Sequence, residues 1–338
     1  MKLKILTIVG ARPQFIKAAA VSRLLKQHAE EIIVHTGQHY DENLSKVFFD
    51  ELEIPTPNYN LDVGSGSHGV QTGEMLAKTE AILLHDKPDR VLVYGDTNST
   101  LAGALAAAKL NLKLAHIESG LRSFNRRMPE EINRILTDHM SDLLFCPSEV
   151  ALQNLQNEGI TQNVYVVGDV MAESLAFAAQ KSAKISRITD IIGVRTGEYY
   201  LATLHRAENT DHPERLANIL RAFSQLEKPV ILPLHPRTKQ AIEDHNIRID
   251  LSDGNITIIS PVGYLDMVQL ERSAKMILTD SGGIQKEAYW LKVPCVTLRD
   301  ETEWIETVNT GWNVLARGEE KNIVDIIRNF KIPHEHPV

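Results

Sequence analysis

The sequence alternates short apolar strands with amphipathic helices, and it does so in two successive series. The first series covers about residues 2–168 and the second about residues 198–299. Strands that alternate with helices in this way predict parallel sheets covered on both faces. We therefore predict an α/β protein with two doubly wound Rossmann-like domains, residues 1–169 and residues 170–338.

The composition and net charge of the chain exclude several classes of protein. A chain with 43% hydrophobic and 24% charged residues can bury two cores, so a disordered or collagen-like protein is excluded. A net charge of −8 argues against a generally basic nucleic-acid binder, although a local cationic pocket remains possible. No apolar run approaches the length of a membrane span, and the N-terminus is typical of a first strand rather than a signal peptide. Cys146 and Cys295 are far apart without metal-type spacing, so we expect buried, reduced thiols in a cytoplasmic protein.

Unusual polar residues gather where predicted strands end. Ligands of open α/β sheets bind outside the carboxyl ends of the strands. The segment GARPQFIK (10–17) follows the first strand and places Arg12 there; it is not GxGxxG, and alone it indicates only an ordinary strand–helix connection. In YGDTNST (94–100), Asp96 either caps the next helix or is free for chemistry, and the residues support both interpretations equally.

The segment HIESGLRSFNRRMPEEINR (116–134) is dense in charge. Glu118 ends a strand, and Pro129 predicts a helix start with Glu130 and Glu131 in the first turn. The helix dipole explains one of those two carboxylates. It does not explain the four nearby arginines, which are Arg122, Arg126, Arg127 and Arg134. This density favours an anionic ligand held beside catalytic acids.

Two histidine–arginine pairs end strands in the second half. His205 lies in TLHRAEN (203–209), and His235 with Arg237 lies in LHPR (234–237). A lone histidine is usually structural, but two such strand ends in succession favour a function.

The segment LTDSGGIQKEA (278–288) has the geometry of a phosphate site. Ser281, Gly282 and Gly283 lead from a strand into a helix, whose free N–H groups and positive dipole end attract anions. Glu287 lies one turn later, where it could accept hydrogen bonds from a ribose diol. The alternative is a glycine-rich turn with a surface glutamate, and the pattern does not identify the nucleotide.

Taken together and in order, these segments resemble the non-hydrolysing UDP-N-acetylglucosamine 2-epimerase family. The segments are GARPQFIK, HTGQH (35–39), YGDTNST, HIESGLRS, PEEINR, LHRAEN, LHP, TDSGGIQKEA and LRDETE (298–303). The resemblance implies the glycosyltransferase-B fold, with an active site in the interdomain cleft, and a homodimer. It also implies inversion at C2 of a UDP-linked 2-acetamido sugar, a reaction that supplies bacterial surface polysaccharide precursors. The inversion proceeds by elimination of UDP to a glucal and re-addition. No metal and no redox cofactor is implied.

The resemblance also implies roles for individual residues. It matches Asp96, Glu118 and Glu130 to catalytic carboxylates and His205 to a catalytic histidine. The residues matched to UDP-sugar binding are Arg12, Lys17, Arg122, His235, Arg237, Ser281, Gly282, Gly283 and Glu287. Which group acts as base and which as acid is left open.

Three departures from the family pattern bear on specificity and length. His68 replaces a glutamine common in members regulated by substrate, which argues against regulation by UDP-N-acetylglucosamine. Trp304 follows Thr-Glu where an arginine and a proline are usual, and it indicates a different sugar. The subfamily acting on UDP-2,3-diacetamido-2,3-dideoxy-glucuronate fits both changes best. The usual final helix does not appear by residue 338, so we expect a truncated or disordered tail.

Two other classes of function remain as alternatives. A glycosyltransferase of the same fold would use a UDP-sugar donor and an acceptor, but a single base would suffice for it. A non-catalytic nucleotide-sugar sensor would need the phosphate turn and no set of acids. Dependence on an acceptor would identify the first alternative, and UDP binding without turnover would identify the second.

Overall fold

The chain divides into two compact units, Met1–Ala176 and Phe177–Val338. We used a computed structural model, which describes residues 2–37, 51–247, 255–302 and 304–336. The division lies within a helix that begins at Val170, whereas the sequence placed the change of domain just before that helix.

The N-terminal unit is built on a parallel sheet of seven strands. The strands are β1 (Leu3–Val9), β2 (Ala29–His35), β3 (Tyr59–Asn60), β4 (Arg90–Tyr94), β5 (Leu114–Ile117), β6 (Leu143–Cys146) and β7 (Val164–Val166). They lie in the order β3-β2-β1-β4-β5-β6-β7. Strands β1 and β2 pair along their whole length, from Leu3 opposite Ala29 to Val9 opposite His35.

The described helices of this unit connect and cover the strands. They are α1 (Arg12–His28), α2 (His68–Asp86), α3 (Asn98–Lys109), α4 (Pro129–Met140), α5 (Glu149–Asn157) and the first part of α6 (Val170–Ile185), which continues into the C-terminal unit. Thr97 caps α3 by accepting a hydrogen bond from the Thr100 N–H. Small residues let α3 approach the sheet closely, since a Cβ atom added at Gly103 would lie 2.4 Å from Ile8 Cδ1. The sequence also predicts a helix near residues 41–52, and that segment lies mostly outside the described residues.

The C-terminal unit repeats this design on a six-stranded parallel sheet. The strands are β8 (Tyr200–Thr203), β9 (Val230–Pro233), β10 (Ile256–Ile259), β11 (Met276–Thr279), β12 (Cys295–Thr297) and β13 (Asn313–Leu315), in the order β10-β9-β8-β11-β12-β13. Alternate residues of β8 belong to different apolar clusters: Tyr200 and Ala202 contribute to one, and Leu201 contributes to the other together with Tyr199, which precedes the strand. Both faces of this sheet are therefore covered.

The described helices of the C-terminal unit are α7 (Ile188–Ile192), α8 (Ala207–Thr210), α9 (Pro213–Ser224), α10 (Pro236–Asp244), α11 (Tyr264–Ser273), α12 (Gly282–Trp290), α13 (Ile305–Asn309) and α14 (Glu320–Asn329). No helix within the described part of the chain has the length and apolar composition needed to cross a membrane. The predicted fold class, two Rossmann-like α/β domains, is confirmed.

Strand order explains where a ligand can bind in each sheet. In the first sheet, successive strands are added on one side of β1 and then, from β4 onward, on its other side; the same change occurs between β8 and β11 in the second sheet. We call each of these two places a switch point. The connections on either side of such a point leave a crevice at the carboxyl ends of the strands. Gly10 and Asp96 follow β1 and β4, and His205 and Ser281 follow β8 and β11. The predicted site residues therefore concentrate at these two switch points.

Candidate active site

Lys17 and Glu118 form a buried ion pair at the carboxyl edge of the N-terminal sheet. Their side chains are 8% and 13% exposed. Burial alone would lower the pKa of Lys17, but the charges of Glu118, Asp96 and Asp169 and the hydrogen bond to Glu118 raise it. Lys17 is therefore an ammonium held among carboxylates in a site with little water.

Gly95 makes room for this ion pair. Its φ of +60° lies in the left-handed region. A Cβ atom at this position would lie 3.0 Å from Glu118 Oε2 and 3.3 Å from Lys17 Nζ. The turn after β4 therefore depends on a residue without a side chain, and it passes directly over the charged pair.

Asp96 lies in the same turn and pairs with Arg134 of α4. Arg134 Nη2 lies 2.5 Å from Asp96 Oδ2, and the Asp96 side chain is 30% exposed. Asn133 Nδ2 donates to the Asp96 carbonyl over 2.9 Å. The Asp96 carboxylate thus remains accessible while its backbone and side chain are both held by α4.

The two first-turn glutamates of α4 differ in their surroundings. Glu131 is 1% exposed and accepts hydrogen bonds from the Ser123 and Phe124 N–H groups, each over 2.9 Å. Burial would raise the pKa of Glu131, but these hydrogen bonds and the charge of Arg134 lower it. Glu130 is exposed and forms no hydrogen bond or ion pair with any described residue. The structure does not bring Glu130 into contact with Asp96 or Glu118.

The other two predicted basic residues of this unit lie in different places. Arg122 has a side chain only 1% exposed, and it pairs with Asp138 and Glu158. Arg12 is the first residue of α1, but its side chain lies outside the described part of the structure.

Gln14 organises the switch point, although the sequence analysis did not single it out. Its Oε1 accepts from the Gly10 and Ala11 N–H groups over 2.8 and 3.0 Å. Its Nε2 donates to the Tyr94 carbonyl over 2.8 Å. One buried amide therefore joins the turn after β1 to the end of β4, and the only sequence signal for it was its place within GARPQFIK.

Asp280 joins strand-end segments of the C-terminal unit through hydrogen bonds, and it too was not among the residues predicted from the sequence. It is fully buried after β11 and accepts from the N–H groups of His205 and Arg206, each over 3.0 Å, and from Asn209 Nδ2 over 3.0 Å. His205 Nδ1 lies 3.4 Å from the Asp280 carboxylate, and the ring centroid of His205 lies 5.3 Å from that of His235. The structure thus brings the two predicted histidines together.

Helix α12 begins with the arrangement expected of an anion site. Ser281 is its N-cap and accepts from the Ile284 N–H over 3.5 Å, and its first turn contains no acidic residue. Two glycines follow Ser281, so no side chain covers the first turn at these positions; Gly282 is buried and Gly283 is exposed. One turn further, Glu287 is 7% exposed and accepts from the Tyr264 hydroxyl over 3.0 Å.

His235 and Arg237 are both engaged at the start of α10. The His235 ring caps the helix by accepting from the Arg237 N–H over 3.1 Å. The Arg237 guanidinium pairs with Asp211 over 2.7 Å and donates to Thr210 Oγ1 over 2.9 Å. Arg237 therefore already has an anionic partner in this structure.

Comparisons with known proteins agree with this arrangement. A family model described as UDP-N-acetylglucosamine 2-epimerase matches residues 23–336. A UDP-N-acetylglucosamine 2-epimerase homolog of Methanococcus maripaludis is 59% identical, over 97% of this chain and 92% of the relative. The UDP-2,3-diacetamido-2,3-dideoxy-D-glucuronate 2-epimerase of Pseudomonas aeruginosa is 54% identical, over 96% of this chain and 92% of the relative.

A solved structure is similar over nearly the whole chain. The crystal structure of the Methanocaldococcus jannaschii UDP-GlcNAc 2-epimerase in complex with UDP-GlcNAc and UDP has a TM-score of 0.82 and 46% identity. The match covers 99% of this chain and 96% of that one. The resemblance inferred from the ordered motifs is confirmed, and this protein belongs to the UDP-N-acetylglucosamine 2-epimerase family.

Proposed function

We propose that this chain inverts the configuration at C2 of a UDP-linked 2-acetamido sugar. The observation that carries the proposal is the buried Lys17–Glu118 ion pair, close enough to Asp96 for that carboxylate to raise the pKa of Lys17. The carboxylates supply groups that take up and release protons, and the ammonium stabilises negative charge. Both kinds of group are needed for a reaction that moves a proton while a diphosphate leaves.

The substrate's chemistry dictates the route. The C2 hydrogen of a 2-acetamido sugar is not adjacent to a carbonyl, so simple removal of that proton faces a large barrier. In the proposed route a base takes the C2 proton while the C1–oxygen bond to UDP breaks, giving a 2-acetamidoglucal and UDP. The diphosphate oxygen then attacks C1 again while an acid delivers a proton to the opposite face of C2. The reaction needs acid–base groups on both faces of the ring.

We assign proton transfer to Asp96, Glu118, Glu130 and His205. Stabilisation of the leaving diphosphate and binding of the ribose fall to residues from both units. They are Arg12, Lys17, His235, Arg237, Ser281, Gly282, Gly283 and Glu287. The glycine-rich N-terminus of α12 supports the diphosphate assignment, because its N–H groups and dipole favour an anion and its first turn has no acidic residue. The buried position of Arg122 supports a role behind the site, which we develop below.

We propose UDP-2,3-diacetamido-2,3-dideoxy-glucuronate as the preferred sugar, with UDP-N-acetylglucosamine as the alternative. The 54% identity to the P. aeruginosa enzyme supports this choice, as does Trp304. The Trp304 ring lies beside the Lys286 ammonium, whose Nζ is 4.2 Å from the ring centroid. A side-by-side measurement of kcat/KM on the two sugars distinguishes them, and equal or reversed values would reject the preference.

The reaction is tested by incubating the protein with each UDP-sugar in deuterated water. We expect deuterium at C2 and a mixture of gluco and manno forms, with no dependence on an acceptor. If neither sugar gives C2 exchange or an epimer, the proposal is rejected. Transfer to an added acceptor without C2 exchange would identify a glycosyltransferase.

Variants of the acidic residues test the assignment separately. We expect Asp96→Asn and Glu118→Gln to abolish turnover while UDP still binds, because the phosphate turn belongs to the other sheet. Glu214→Gln is the matched control, since Glu214 is an exposed carboxylate in the first turn of α9. Loss of UDP binding in the first two variants would instead assign these acids a structural role.

We further propose that the enzyme works in the cytoplasm as a homodimer and supplies precursors of bacterial surface polysaccharides. Two free, buried cysteines are consistent with a reducing compartment. A surface of four exposed apolar residues, Phe124, Met128, Ile132 and Leu136, supports the dimer. We call these four residues the α4 stripe.

A further inference from the structure

Four ionisable side chains form a largely buried network behind the candidate acids. His116 of β5 is completely buried, and its Nδ1 lies 2.7 Å from Asp138 Oδ1. Arg122 Nη1 donates to Asp138 Oδ2 over 2.7 Å, and Arg122 Nε and Nη2 donate to the two Glu158 oxygens over 2.6 and 2.8 Å. We call His116, Asp138, Arg122 and Glu158 the buried charge network.

The partners of His116 determine how many protons its ring carries. Its Nε2 lies 2.8 Å from the Gly95 carbonyl, which can only accept a hydrogen bond. Its Nδ1 faces Asp138, whose other oxygen accepts from Arg122 and from the Gly120 N–H over 3.1 Å. Burial would raise the pKa of Asp138, but the hydrogen bonds and charges of His116 and Arg122 lower it. An ionised Asp138 is an acceptor too, so both ring nitrogens of His116 must donate, which only the imidazolium form does.

The network holds both turns that carry the candidate acids. Through His116 it binds the Gly95 carbonyl, which belongs to the peptide bond leading into Asp96. Through Asp138 it binds the Gly120 N–H, two residues after Glu118. Glu118 itself has a φ of +70°, a left-handed conformation that costs a non-glycine residue about 1–2 kcal/mol. Such a turn persists only where its surroundings hold it.

We propose that His116, as a buried imidazolium, is a positioning residue that sets the placement of Asp96 relative to Glu118. The proposal rests on the proposed epimerase function for its readout in turnover. Arg122 contributes to the same arrangement by keeping Asp138 ionised and by anchoring it to Glu158. The four charges of the network sum to zero, so the cation is compensated within the protein.

Two other ionisable groups, His139 and Cys146, lie beside the network, and neither supplies the positive charge that the partners of His116 require. His139, 47% exposed, lies 3.0 Å from Glu158 Oε2 at the outer end of the network. The Cys146 thiol lies 3.6 Å from Ser119 Oγ, and burial raises its pKa, so it stays neutral near pH 7. The two ring nitrogens of His116 face Asp138 and the Gly95 carbonyl, and these two partners set the charge of the ring.

The first experiment compares His116→Gln with His139→Gln, the same substitution at the centre and at the outer end of the network. We expect His116→Gln to lower kcat by about 100-fold, the order of loss for a catalytic group misplaced by about 1 Å. KM and the affinity for UDP should stay close to those of the unchanged protein, and His139→Gln should keep full kcat. Unchanged kcat in a folded His116→Gln would overturn the proposal, as would equal losses in both variants.

The second experiment does not depend on turnover or on a variant that folds. Nitrogen-15 NMR of the unchanged protein, labelled at histidine, detects which ring nitrogens carry a proton. The His116 signal is assigned by its loss in His116→Gln. If that variant does not fold, the signal is assigned by its coupling to the signals of buried neighbours. We expect both nitrogens of His116 to be protonated near pH 7. One bare nitrogen would overturn the proposal. If the unchanged protein shows no epimerisation, the proposed function fails while this measurement still decides the state of His116.

Discussion

Glu130 and Glu131 are adjacent in the sequence but lie in different environments. Glu131 is buried, and its carboxylate holds the loop at Ser123 and Phe124. Glu130 is exposed, so its carboxylate is available to a substrate. The helix-dipole argument explained only one of the two glutamates, and the structure indicates that Glu131 is the structural one.

We predict opposite effects from replacing these two glutamates. Glu131→Gln should lower the free energy of unfolding by about 2 kcal/mol, because a buried carboxylate that accepts several hydrogen bonds is replaced by an amide that cannot accept them all. Glu130→Gln should leave stability unchanged and abolish turnover. Chemical denaturation and an epimerisation assay on both variants measure the two effects.

The stability effect of Glu131 should depend on pH. Its pKa is lowered in the folded protein, so its contribution is present above about pH 4.5, the ordinary value, and is lost as the pH falls through the folded value. The difference in unfolding free energy between the unchanged protein and Glu131→Gln should therefore shrink in acid. A difference that grows in acid would contradict this account.

Gly95 offers a second residue-scale prediction, with Gly159 as its control. Both have positive φ, +60° and +83°, but only at Gly95 would a Cβ atom meet other atoms, those of Glu118 and Lys17. Gly159→Ala should cost about 1 kcal/mol of stability from backbone strain and leave kcat intact. Gly95→Ala should cost more stability and also lower kcat. Equal losses in the two variants would show that the close approach to the ion pair has no consequence.

The sequence predicted these site residues unevenly. Asp96, Glu118 and Lys17 follow strand ends, so the rule for open sheets brings them to one edge. Gln14, His116 and Asp280 were missed because each acts through hydrogen bonds to residues about 20 or more positions away. Their partners become visible only when the strand order is known.

At the scale of elements, α4 has its polar side buried and an apolar side exposed. Asn133, Thr137 and Asp138 are buried, whereas Ile132 and Leu136 of the α4 stripe are each 46% exposed. The sequence predicted a helix that starts at Pro129 but not which face the protein covers. The buried polar face is explained by the hydrogen bonds to Asp96 and His116.

We predict that a charge in the α4 stripe separates the proposed dimer. Leu136→Lys should shift sedimentation toward the monomer, because burial of an unpaired ammonium is costly. Val150→Lys is the control, since Val150 is 71% exposed on α5 and lies outside the stripe. A Leu136→Lys protein that sediments like the unchanged protein would show that the stripe is not the interface.

The elements missing from the sequence prediction are the short ones. Strands β3 and β13 and helices α7, α8 and α13 have between two and five residues. Such lengths are too short to show a period of 2 or 3.6 residues. The longer strands and helices are long enough to show these periods, and the alternating pattern of the sequence predicted them.

At the scale of the whole molecule, each unit contains one buried cysteine. Cys146 lies in β6 of the N-terminal unit, and Cys295 lies in β12 of the C-terminal unit, where burial raises its pKa to about 12. A thiol reagent therefore reaches either residue only when its own unit opens. The rate of labelling at each cysteine reports the stability of that unit.

We predict that UDP slows the labelling of Cys295 more than that of Cys146. A ligand at 100 times its Kd stabilises the state that binds it by about 2.7 kcal/mol, so opening of the C-terminal unit should slow by up to about 100-fold. ADP serves as the control nucleotide. Equal protection of both cysteines, or protection only of Cys146, would contradict binding of UDP by the Ser281 turn.

Each compact unit is one uninterrupted stretch of chain, and this has a consequence for synthesis on the ribosome. The sheet that carries Asp96 and Glu118 has all its strands once residue 166 has emerged, while most of the second sheet is still untranslated. Nascent domains generally fold in this order, from the N-terminus onward. The growing chain would therefore acquire the carboxylates assigned to proton transfer before it has His205 and the turn that retains a nucleotide, and it would stay inactive until both have emerged.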